Sequence, residues 1–414
     1  MAEMPENVVI LGSGQGGYQV AASLRDEGFA GPIAIVGNEP GLPYQRPPLS
    51  KAYLTGKTDA DGLLLRAAPF YAERGIAVLA PEEAIAIDRD ARKLALRSGR
   101  ELPYDHLVLA TGARNRLLPV PGSDLDGVLY LRSREDAECI RARLGEANRV
   151  VVVGAGFIGL EFAAVAASLG RNVTVLEALG RPMARALSLP MSEYFERAHE
   201  AAGLKLRFGE TVIRVTGQDG RLDGVETADG DRVPADLVVV GVGVVPNVEL
   251  AAEAGLAVEN GIRVDQHLLT ADPAISAIGD CVSYPSLFAD GRVVRLESVQ
   301  NAVDQAKCVA ARLTGKSAPY VAVPWFWSDQ GNMKLQMVGL TDGHDHAVSR
   351  GDPASGAFSV FCYRGERLLG VESVNRPADH MIARRLMAKG LNLPPAEAGD
   401  PSLDLKSHAQ ALLA

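Results

Sequence analysis

Two segments of the chain share one succession of apolar and glycine-rich positions. A β-branched run at residues 7–11 precedes the string GSGQGG at 12–17, and a helical spacing of apolar residues follows. The second copy has valine at each of residues 150–153, continues through GAGFIG at 154–159 and enters another apolar helical pattern. Each copy therefore predicts a strand, a tight glycine turn and a helix, the first part of a βαβ unit.

Each copy then reaches a further predicted strand with an acidic residue at its end. The strand at 32–36 leads to Asn38 and Glu39, and the strand at 172–176 leads to Glu177. In a dinucleotide-binding unit the first glycine makes the turn, the second lets backbone approach a pyrophosphate and the third lets the helix pack on the strand. The acid accepts hydrogen bonds from ribose hydroxyls. One such motif is a weak signal, but two in this context indicate that the chain binds two dinucleotides.

Later apolar stretches also predict strands that end in small-residue turns. Residues 107–109 lead into the small turn Ala-Thr-Gly at 110–112, and residues 237–245 end in a similar turn. A strand predicted over 270–278 ends at Gly279 and Asp280, which places a carboxylate at the strand end. The order is one nucleotide unit, a second inserted into it, and a return to the first.

We therefore predict an α/β fold with two Rossmann-like nucleotide-binding domains, the second inserted in the first, and a C-terminal α+β domain. The expected boundaries are 1–112 with 244–320 for the first domain and 113–243 for the second. From about residue 321 the pattern changes to short strand-like runs followed by a helix, so the third domain is expected to span 321–414.

Composition and charge narrow the function classes. With 47% hydrophobic and 22% charged residues among 414, the chain can build real cores. Its net charge of −9 argues against a nucleic-acid partner bound over the whole molecule. The longest apolar stretches are about half the ~20 residues of a membrane-spanning helix, so we expect no membrane partner. The acidic start of the chain carries no basic, apolar export signal, and we expect a cytoplasmic protein.

Cysteine and histidine give no sign of a disulfide or metal centre. The four cysteines are far apart and form neither a C-x-x-C motif nor a zinc-ligand pair, so we expect small hydrophobic side chains. The string His344-Asp345-His346 lacks a further ligand at a plausible spacing, and we expect no metal site. Structural or surface positions are the expectation for the histidines without a partner pattern: His106, His199, His267 and His380.

Two strings of the sequence resemble a known family. These are YQRPPLSK at 44–51 and PWFWSDQ at 324–330, and together with the paired glycine motifs they are similar to the single-FAD, NADH-dependent ferredoxin reductases. This family includes putidaredoxin reductase-like proteins and the ferredoxin reductases of aromatic-ring dioxygenases. The likeness covers essentially the whole chain and implies a glutathione reductase-like fold, with FAD in the first nucleotide unit and NADH in the second.

The resemblance also implies two sets of binding residues. The FAD set is Gly12, Gly14, Gly16, Gly17, Asn38, Glu39, Arg46, Lys51, Ala84, Ala110, Thr111, Gly112, Arg132, Asp280, Val299 and Trp327. The NAD set is Gly154, Gly156, Phe157, Ile158, Gly159, Glu161, Glu177, Arg185, Val242 and Gly243. Relatives commonly carry aspartate at position 38, where this chain has asparagine. Asp280 is expected to contact a ribityl hydroxyl.

The number of electrons that the donor gives and the acceptor takes decides the expected chemistry. NADH delivers two electrons whereas an iron–sulfur acceptor takes one at a time, and a flavin can bridge that difference. Disulfide-dependent relatives of this fold relay electrons through a cysteine, but the stretch 46–51 has no thiol, so electrons are expected to leave directly from the flavin. We predict that Lys51 is catalytic as the cation nearest flavin N5, with Glu161 as its catalytic partner.

Two further expectations concern the choice of nucleotide and the two tryptophans. Glu177 should favour NADH because its carboxylate would repel the 2′-phosphate of NADPH, although Arg181 and Arg185 could soften that preference. Trp325 and Trp327 alternate, so we expect only one, Trp327, to face the flavin while the other packs in the third domain.

The function implied is that of an NADH:ferredoxin oxidoreductase. Its partner would be an acidic two-iron, two-sulfur ferredoxin that feeds a haem-thiolate monooxygenase or a ring-hydroxylating dioxygenase. Arg66, Lys307 and Arg312 are candidate docking cations. Two alternatives stay open: a rubredoxin reductase or NADH oxidase, and a flavin-binding signalling protein like apoptosis-inducing factor.

Overall fold

The computed structural model describes residues 4–413, which divide into two compact units. The first contains the described residues up to Gln45 together with Ala60–Arg114 and Val245–Pro324. The second contains Arg46–Asp59, Asn115–Val244 and the described residues from Trp325 onward.

The strands of the described residues are short and are numbered in chain order. They are β1 (Val8–Leu11), β2 (Ile33–Val36), β3 (Ile76–Leu79), β4 (Ala84–Asp88), β5 (Lys93–Leu96), β6 (Glu101–Pro103), β7 (His106–Leu109), β8 (Ala113–Asn115), β9 (Val128–Tyr130), β10 (Arg149–Val153), β11 (Asn172–Glu177), β12 (Lys205–Phe208), β13 (Val212–Gln218), β14 (Arg221–Thr227), β15 (Arg232–Pro234), β16 (Leu237–Val240), β17 (Val244–Pro246), β18 (Ile262–Arg263), β19 (Ile275–Ala277), β20 (Val282–Pro285), β21 (Val293–Val294), β22 (Trp325–Gln330), β23 (Met333–Gly339), β24 (His346–Asp352), β25 (Ala357–Arg364) and β26 (Arg367–Val374).

The helices are numbered in the same way. They are α1 (Gln15–Asp26), α2 (Ala60–Leu63), α3 (Ala68–Glu73), α4 (Arg134–Glu146), α5 (Phe157–Ser168), α6 (Leu189–Ala201), α7 (Glu249–Glu253), α8 (Val299–Leu313), α9 (Pro377–Ala388), α10 (Pro395–Gly399) and α11 (Leu405–Leu413). Short 3₁₀ turns occupy Pro47–Ser50, Gly279–Cys281, Leu287–Ala289 and Pro353–Ser355. No helix of the described residues combines the length and apolar character that a bilayer crossing requires.

The first unit is built on a parallel sheet of order β19-β7-β1-β2-β3. Strand β1 lies at its centre, with Val8 opposite Ile33 of β2 and opposite His106 of β7. All four residues of β1 are buried, as expected for a strand covered on both faces. Helices α1 and α8 pack against each other, and two small sheets, β4-β5-β6 and β18-β20-β21, complete the unit.

The second unit repeats the parallel arrangement and adds an antiparallel sheet. Strand β10 lies between β11 and β16 in the order β12-β11-β10-β16-β9. The C-terminal sheet has the order β22-β23-β26-β25-β24 and all its pairs are antiparallel. Helix α5, which follows the second glycine motif, packs against β22 and so lies beside the C-terminal sheet.

The predicted α/β class with paired Rossmann-like sheets and a C-terminal α+β part is confirmed. The first unit runs to Arg114, apart from 46–59, and resumes at Val245, and 46–59 groups with the second unit. The strand predicted over 270–278 was too long. Its first half is a turn in which Asp272 accepts from the Ala274 amide, so only Ile275–Ala277 is a strand.

Candidate active site

The two glycine turns have matching geometry in the two units. Gly12 and Gly154 have φ of 121° and 103°, a region that side chains rarely adopt. A Cβ on Gly17 would lie 1.9 Å from the Gly12 carbonyl oxygen, and one on Gly159 would lie 2.2 Å from the Gly154 oxygen. The third glycine of each motif therefore allows the helix to sit directly on the turn.

The middle glycines have open surroundings. A Cβ on Gly14 would meet no heavy atom within 4 Å, and one on Gly156 would meet only the Gly241 oxygen at 3.9 Å. Both residues are N-caps whose helices receive no side-chain cap, whereas Ser133 caps α4 through a complete capping box. The first amides of α1 and α5 are thus left for an anion, which fits the pyrophosphate of a dinucleotide.

The acids after the second strands are held in place. Glu39 is half-buried and accepts a hydrogen bond from the Tyr44 hydroxyl, whereas Asn38 is exposed. Glu177 accepts from the Ala155 amide at 2.7 Å with one oxygen and from the Leu179 amide at 2.9 Å with the other. Each carboxylate is therefore fixed at its strand end with further lone pairs for ribose hydroxyls.

Lys51 and Glu161 form an ion pair in the second unit. Lys51 Nζ lies 2.6 Å from Glu161 Oε2, and the side chains are 20% and 6% exposed. The ammonium also donates to the Pro47 carbonyl oxygen at 3.0 Å, which ties the lysine to the 3₁₀ turn before it. The pair joins this turn to α5 at the residue that follows the helix's first turn, and it places a fixed cation and anion beside each other.

Two serines complete the surroundings of Glu161, and neither was predicted from the sequence. Ser50 Oγ donates to Glu161 Oε2 at 2.5 Å, and Ser328 Oγ donates to Oε1 at 2.7 Å. Both serines are buried. For Ser328 the period of a strand is the signal that could have found it, because Phe326, Ser328 and Gln330 share one face of β22.

Comparisons with known proteins agree with this geometry. A family described as pyridine nucleotide-disulphide oxidoreductase matches residues 6–306, and one described as reductase C-terminal matches 325–409. The chain belongs to the pyridine nucleotide-disulphide oxidoreductase family. The first match covers more than half of the chain, and the second covers the antiparallel sheet with the helices after it.

Three relatives define the branch of the family. This chain is 55% identical to rhodocoxin reductase of Rhodococcus erythropolis over 97% of this chain and 93% of that protein. It resembles the crystal structure of the ferredoxin reductase for the CYP199A2 system from Rhodopseudomonas palustris, with 50% identity, a TM-score of 0.96 and coverage of 98% and 100%. It resembles the covalent putidaredoxin reductase–putidaredoxin complex with 43% identity, a TM-score of 0.96 and 100% coverage of both chains. The chain is accordingly a ferredoxin reductase that binds FAD and uses NAD(P)H.

The residues predicted to contact FAD divide between the units. The first unit contains Gly12, Gly14, Gly16, Gly17, Asn38, Glu39, Ala84, Ala110, Thr111, Gly112, Asp280 and Val299. The second contains Arg46, Lys51, Arg132 and Trp327. In the first unit Thr111 and Asn247 exchange two hydrogen bonds, which fix the Ala-Thr-Gly turn. In the second, Arg46 donates to the Arg132 carbonyl oxygen at 2.6 Å.

The residues predicted to bind the nicotinamide nucleotide all belong to the second unit. The glycine turn, Phe157, Ile158, Glu161 and Glu177 lie at or beside the carboxyl ends of β10 and β11. Arg181 donates to the carbonyl oxygens of Ala184 and Leu187, so its guanidinium is engaged by backbone rather than available to a phosphate. Arg185 is exposed.

The premise that the two tryptophan rings lie on opposite faces of their strand is wrong. Residues i and i+2 of a strand lie on the same face, and the ring centroids of Trp325 and Trp327 are 5.5 Å apart. Trp325 also contacts the His380 ring at 5.8 Å and lies under the Arg384 guanidinium. Both rings are half-buried, so they form one aromatic patch of the C-terminal sheet.

The candidate docking cations differ in their surroundings. Arg66 and Lys307 are exposed, and Lys307 lies 3.9 Å from Asp304. Arg312 is half-buried and donates to Ser276 Oγ at 2.5 Å, so it serves the interior of the first unit and is a poor docking residue.

Proposed function

We propose that this reductase oxidises NADH and passes the electrons singly to a two-iron, two-sulfur ferredoxin. In the net reaction one NADH and two oxidised ferredoxins give NAD⁺, one proton and two reduced ferredoxins. The ferredoxin would in turn serve a haem-thiolate monooxygenase or a ring-hydroxylating dioxygenase. Bound FAD supplies the chemistry that accepts a hydride and releases single electrons.

The observation that carries the proposal is the match along the full length of both chains to the putidaredoxin reductase–putidaredoxin complex. That structure is a reductase joined to its iron–sulfur partner. The cysteines here support direct transfer to such a partner: burial raises the pKa of Cys281 and Cys362, which makes both poor nucleophiles, and all four cysteines are free.

The two cofactors are proposed to bind different parts of the chain. FAD is assigned to 1–112 and 244–320, the nicotinamide nucleotide to 113–243, and the remaining 321–414 to a C-terminal domain. Lys51 is proposed as the catalytic cation beside the flavin and Glu161 as the anion that holds it. The 2.6 Å contact between them supports both roles.

NADH is proposed as the preferred nucleotide. Both oxygens of Glu177 accept hydrogen bonds from backbone amides, which hold the carboxylate at the end of its strand. A fixed anion there suits the free hydroxyls of NADH and disfavours a 2′-phosphate. The cytoplasm is proposed as the compartment, because free cysteines are typical of reducing compartments.

The test is an electron-transfer assay with the purified, FAD-loaded protein. NADH is the donor, and the acceptors are a two-iron, two-sulfur ferredoxin coupled to cytochrome c, a rubredoxin, oxygen, and ferricyanide. We expect added ferredoxin to accelerate cytochrome c reduction at least about tenfold, a 1.4 kcal/mol effect. Equal rates with oxygen would favour an NADH oxidase, and a faster rate with rubredoxin would favour a rubredoxin reductase. Slow turnover with every acceptor would favour the signalling alternative.

A further inference from the structure

A buried chain of hydrogen bonds continues beyond Glu161 through residues to which the proposed function assigns no role. Gln330 Nε2 lies 3.1 Å from Ser328 Oγ, and His199 Nε2 lies 2.7 Å from Gln330 Oε1. Ser328, Gln330 and His199 are each 0% exposed. The chain therefore runs from α6 through β22 to the Glu161 carboxylate of α5 without contact with solvent.

The protons of this chain have one consistent arrangement. Glu161 has only acceptor oxygens when charged, so the Ser328 hydroxyl must donate its single proton to it. Ser328 then accepts from the Gln330 amide nitrogen, which fixes the orientation of that amide. The Gln330 oxygen in turn needs a donor, so the His199 proton must be on Nε2.

The other orientation of the Gln330 amide leaves one contact without a proton. Its oxygen would face Ser328 and take the hydroxyl proton, and Ser328 would present a lone pair to Glu161. The remaining contacts of the two side chains agree with the first orientation. The Gln330 nitrogen also lies 3.5 Å from Met183 Sδ, which can only accept, and His199 Nδ1 has no hydrogen-bond partner.

Burial lowers the pKa of His199, which favours the neutral imidazole with one proton. A single proton cannot serve both ring nitrogens. Because Nε2 has an acceptor and Nδ1 has none, the geometry selects the Nε2–H tautomer.

We propose that His199 and Gln330 are positioning residues that hold the Ser328 proton on Glu161 and so keep Glu161 aligned with Lys51. Every donor of this hydrogen-bonded series then points toward the carboxylate: His199 donates to Gln330, Gln330 donates to Ser328, and Ser328 donates to Glu161 Oε1. Oε2 remains for Lys51 and Ser50. This inference rests on the proposed role of Lys51 and Glu161 in the reaction with NADH, and it is independent of which electron acceptor the reductase serves.

The first test determines directly which ring nitrogen of His199 carries the proton. The nitrogen-15 spectrum of the histidine side chains is recorded on the FAD-loaded protein at pH 7.5, and the His199 signals are assigned by their loss in His199→Gln. We expect a neutral ring with a proton on Nε2 and a bare Nδ1. A proton on Nδ1, or a doubly protonated ring, overturns the inference whatever the enzyme's activity.

The second test measures anaerobic single-turnover reduction of the bound flavin by NADH. His199→Phe removes the donor, and we expect the limiting rate to fall about 10- to 100-fold with little change in the NADH dissociation constant. His199→Gln supplies an amide donor at a similar reach and should recover the rate to within about threefold of wild type. Tyr363→Phe is the matched control, since it removes a buried hydrogen bond to the Leu393 oxygen in the same unit and should keep the wild-type rate.

A structural role alone would not give coupling to Lys51. In a Lys51→Met background, His199→Phe should slow the reaction no further, because the two changes act on one arrangement. A folded His199→Phe protein with the wild-type rate overturns the inference. So does a double variant whose loss of rate equals the product of the losses caused by Lys51→Met and His199→Phe alone. If His199→Phe does not fold, Gln330→Met takes its place with the same expected loss. Failure of ferredoxin reduction would refute the proposed function and leave these outcomes unaffected.

Discussion

Glu161 shows how strongly one side chain depends on its partners. The residue is 5% exposed, and an isolated carboxylate at that depth would cost several kcal/mol. Lys51 supplies the opposite charge, and Ser50 and Ser328 supply hydroxyl donors. Removal of one partner leaves the remaining charge buried and misaligned, so a substitution at Lys51 should affect both stability and the reaction with NADH.

Lys51→Met should slow reduction of the bound flavin by NADH at least about tenfold, because the cation that would stabilise developing negative charge is gone. Anaerobic stopped-flow absorbance in a single turnover measures the rate. Lys57→Met is the control, since it removes an exposed cation from the same segment. A wild-type rate in Lys51→Met would show that Lys51 has no catalytic role.

Glu177→Gln should narrow the preference for NADH over NADPH by about tenfold or more, since a like-charge contact with the 2′-phosphate costs several kcal/mol. The ratio of kcat/KM for the two nucleotides is the measurement. Glu146→Gln, at an exposed position of α4, should leave the ratio unchanged. Equal efficiencies with the two nucleotides in the wild type would contradict the proposed preference.

At the scale of elements, α1 and α5 each begin with two glycines that have different roles, one in packing and one in ligand binding. Each helix starts at a middle glycine in open surroundings and packs through a third glycine in close contact with backbone. The third glycine is therefore needed for the strand and helix to meet, whereas the middle glycine is needed for a ligand to approach. Single alanine substitutions distinguish the two roles.

Gly14→Ala should leave the thermal stability of the apoprotein unchanged and weaken FAD binding at least about tenfold, equal to 1.4 kcal/mol. Gly17→Ala should destabilise the apoprotein by about 1–3 kcal/mol, because its Cβ would overlap the Gly12 oxygen. Calorimetry of the apoprotein and FAD titration measure the two effects. A loss of stability in Gly14→Ala equal to that in Gly17→Ala would contradict this division.

The elements that sequence reasoning found are those with a local signal. The glycine strings and valine runs locate both βαβ units, because turn, strand and helix starts depend on neighbouring residues. The contacts of Glu161 have no such signal: Ser50 and Ser328 are far from it in sequence, and only tertiary folding brings them together. The period of a strand is by itself sufficient to put both tryptophan rings on one face, so their contact does have a local signal in the sequence.

Across the whole molecule, buried histidines set a common dependence of stability on pH. Burial, and then the charge of Arg312, lower the pKa of His106 to about 3, and burial lowers the pKa of His380 to about 4 and that of His199 in the same direction. Below pH 6.5 the unfolded chain takes up protons that the folded chain does not. The stability is therefore complete above that pH and is lost as the pH falls. Glu372 acts in the opposite sense, because burial raises its pKa.

His106→Gln should reduce the loss of unfolding free energy between pH 6.5 and pH 5 by about 2 kcal/mol, since each pH unit below the unfolded pKa contributes about 1.4 kcal/mol per histidine. Urea denaturation of wild type and variant at the two pH values measures the difference. Identical pH dependence in both proteins would show that His106 binds a proton in the folded state.

The second unit is assembled from three stretches of chain that are far apart in the sequence. Glu161 emerges from the ribosome long before Ser328, and its second oxygen has no hydroxyl from β22 until most of the protein has been synthesised. Truncation before Trp325 would remove that donor permanently. The interior of the second unit can therefore reach its final state only after translation is nearly finished, and a separately expressed segment 115–244 would carry a carboxylate whose partners lie on missing polypeptide.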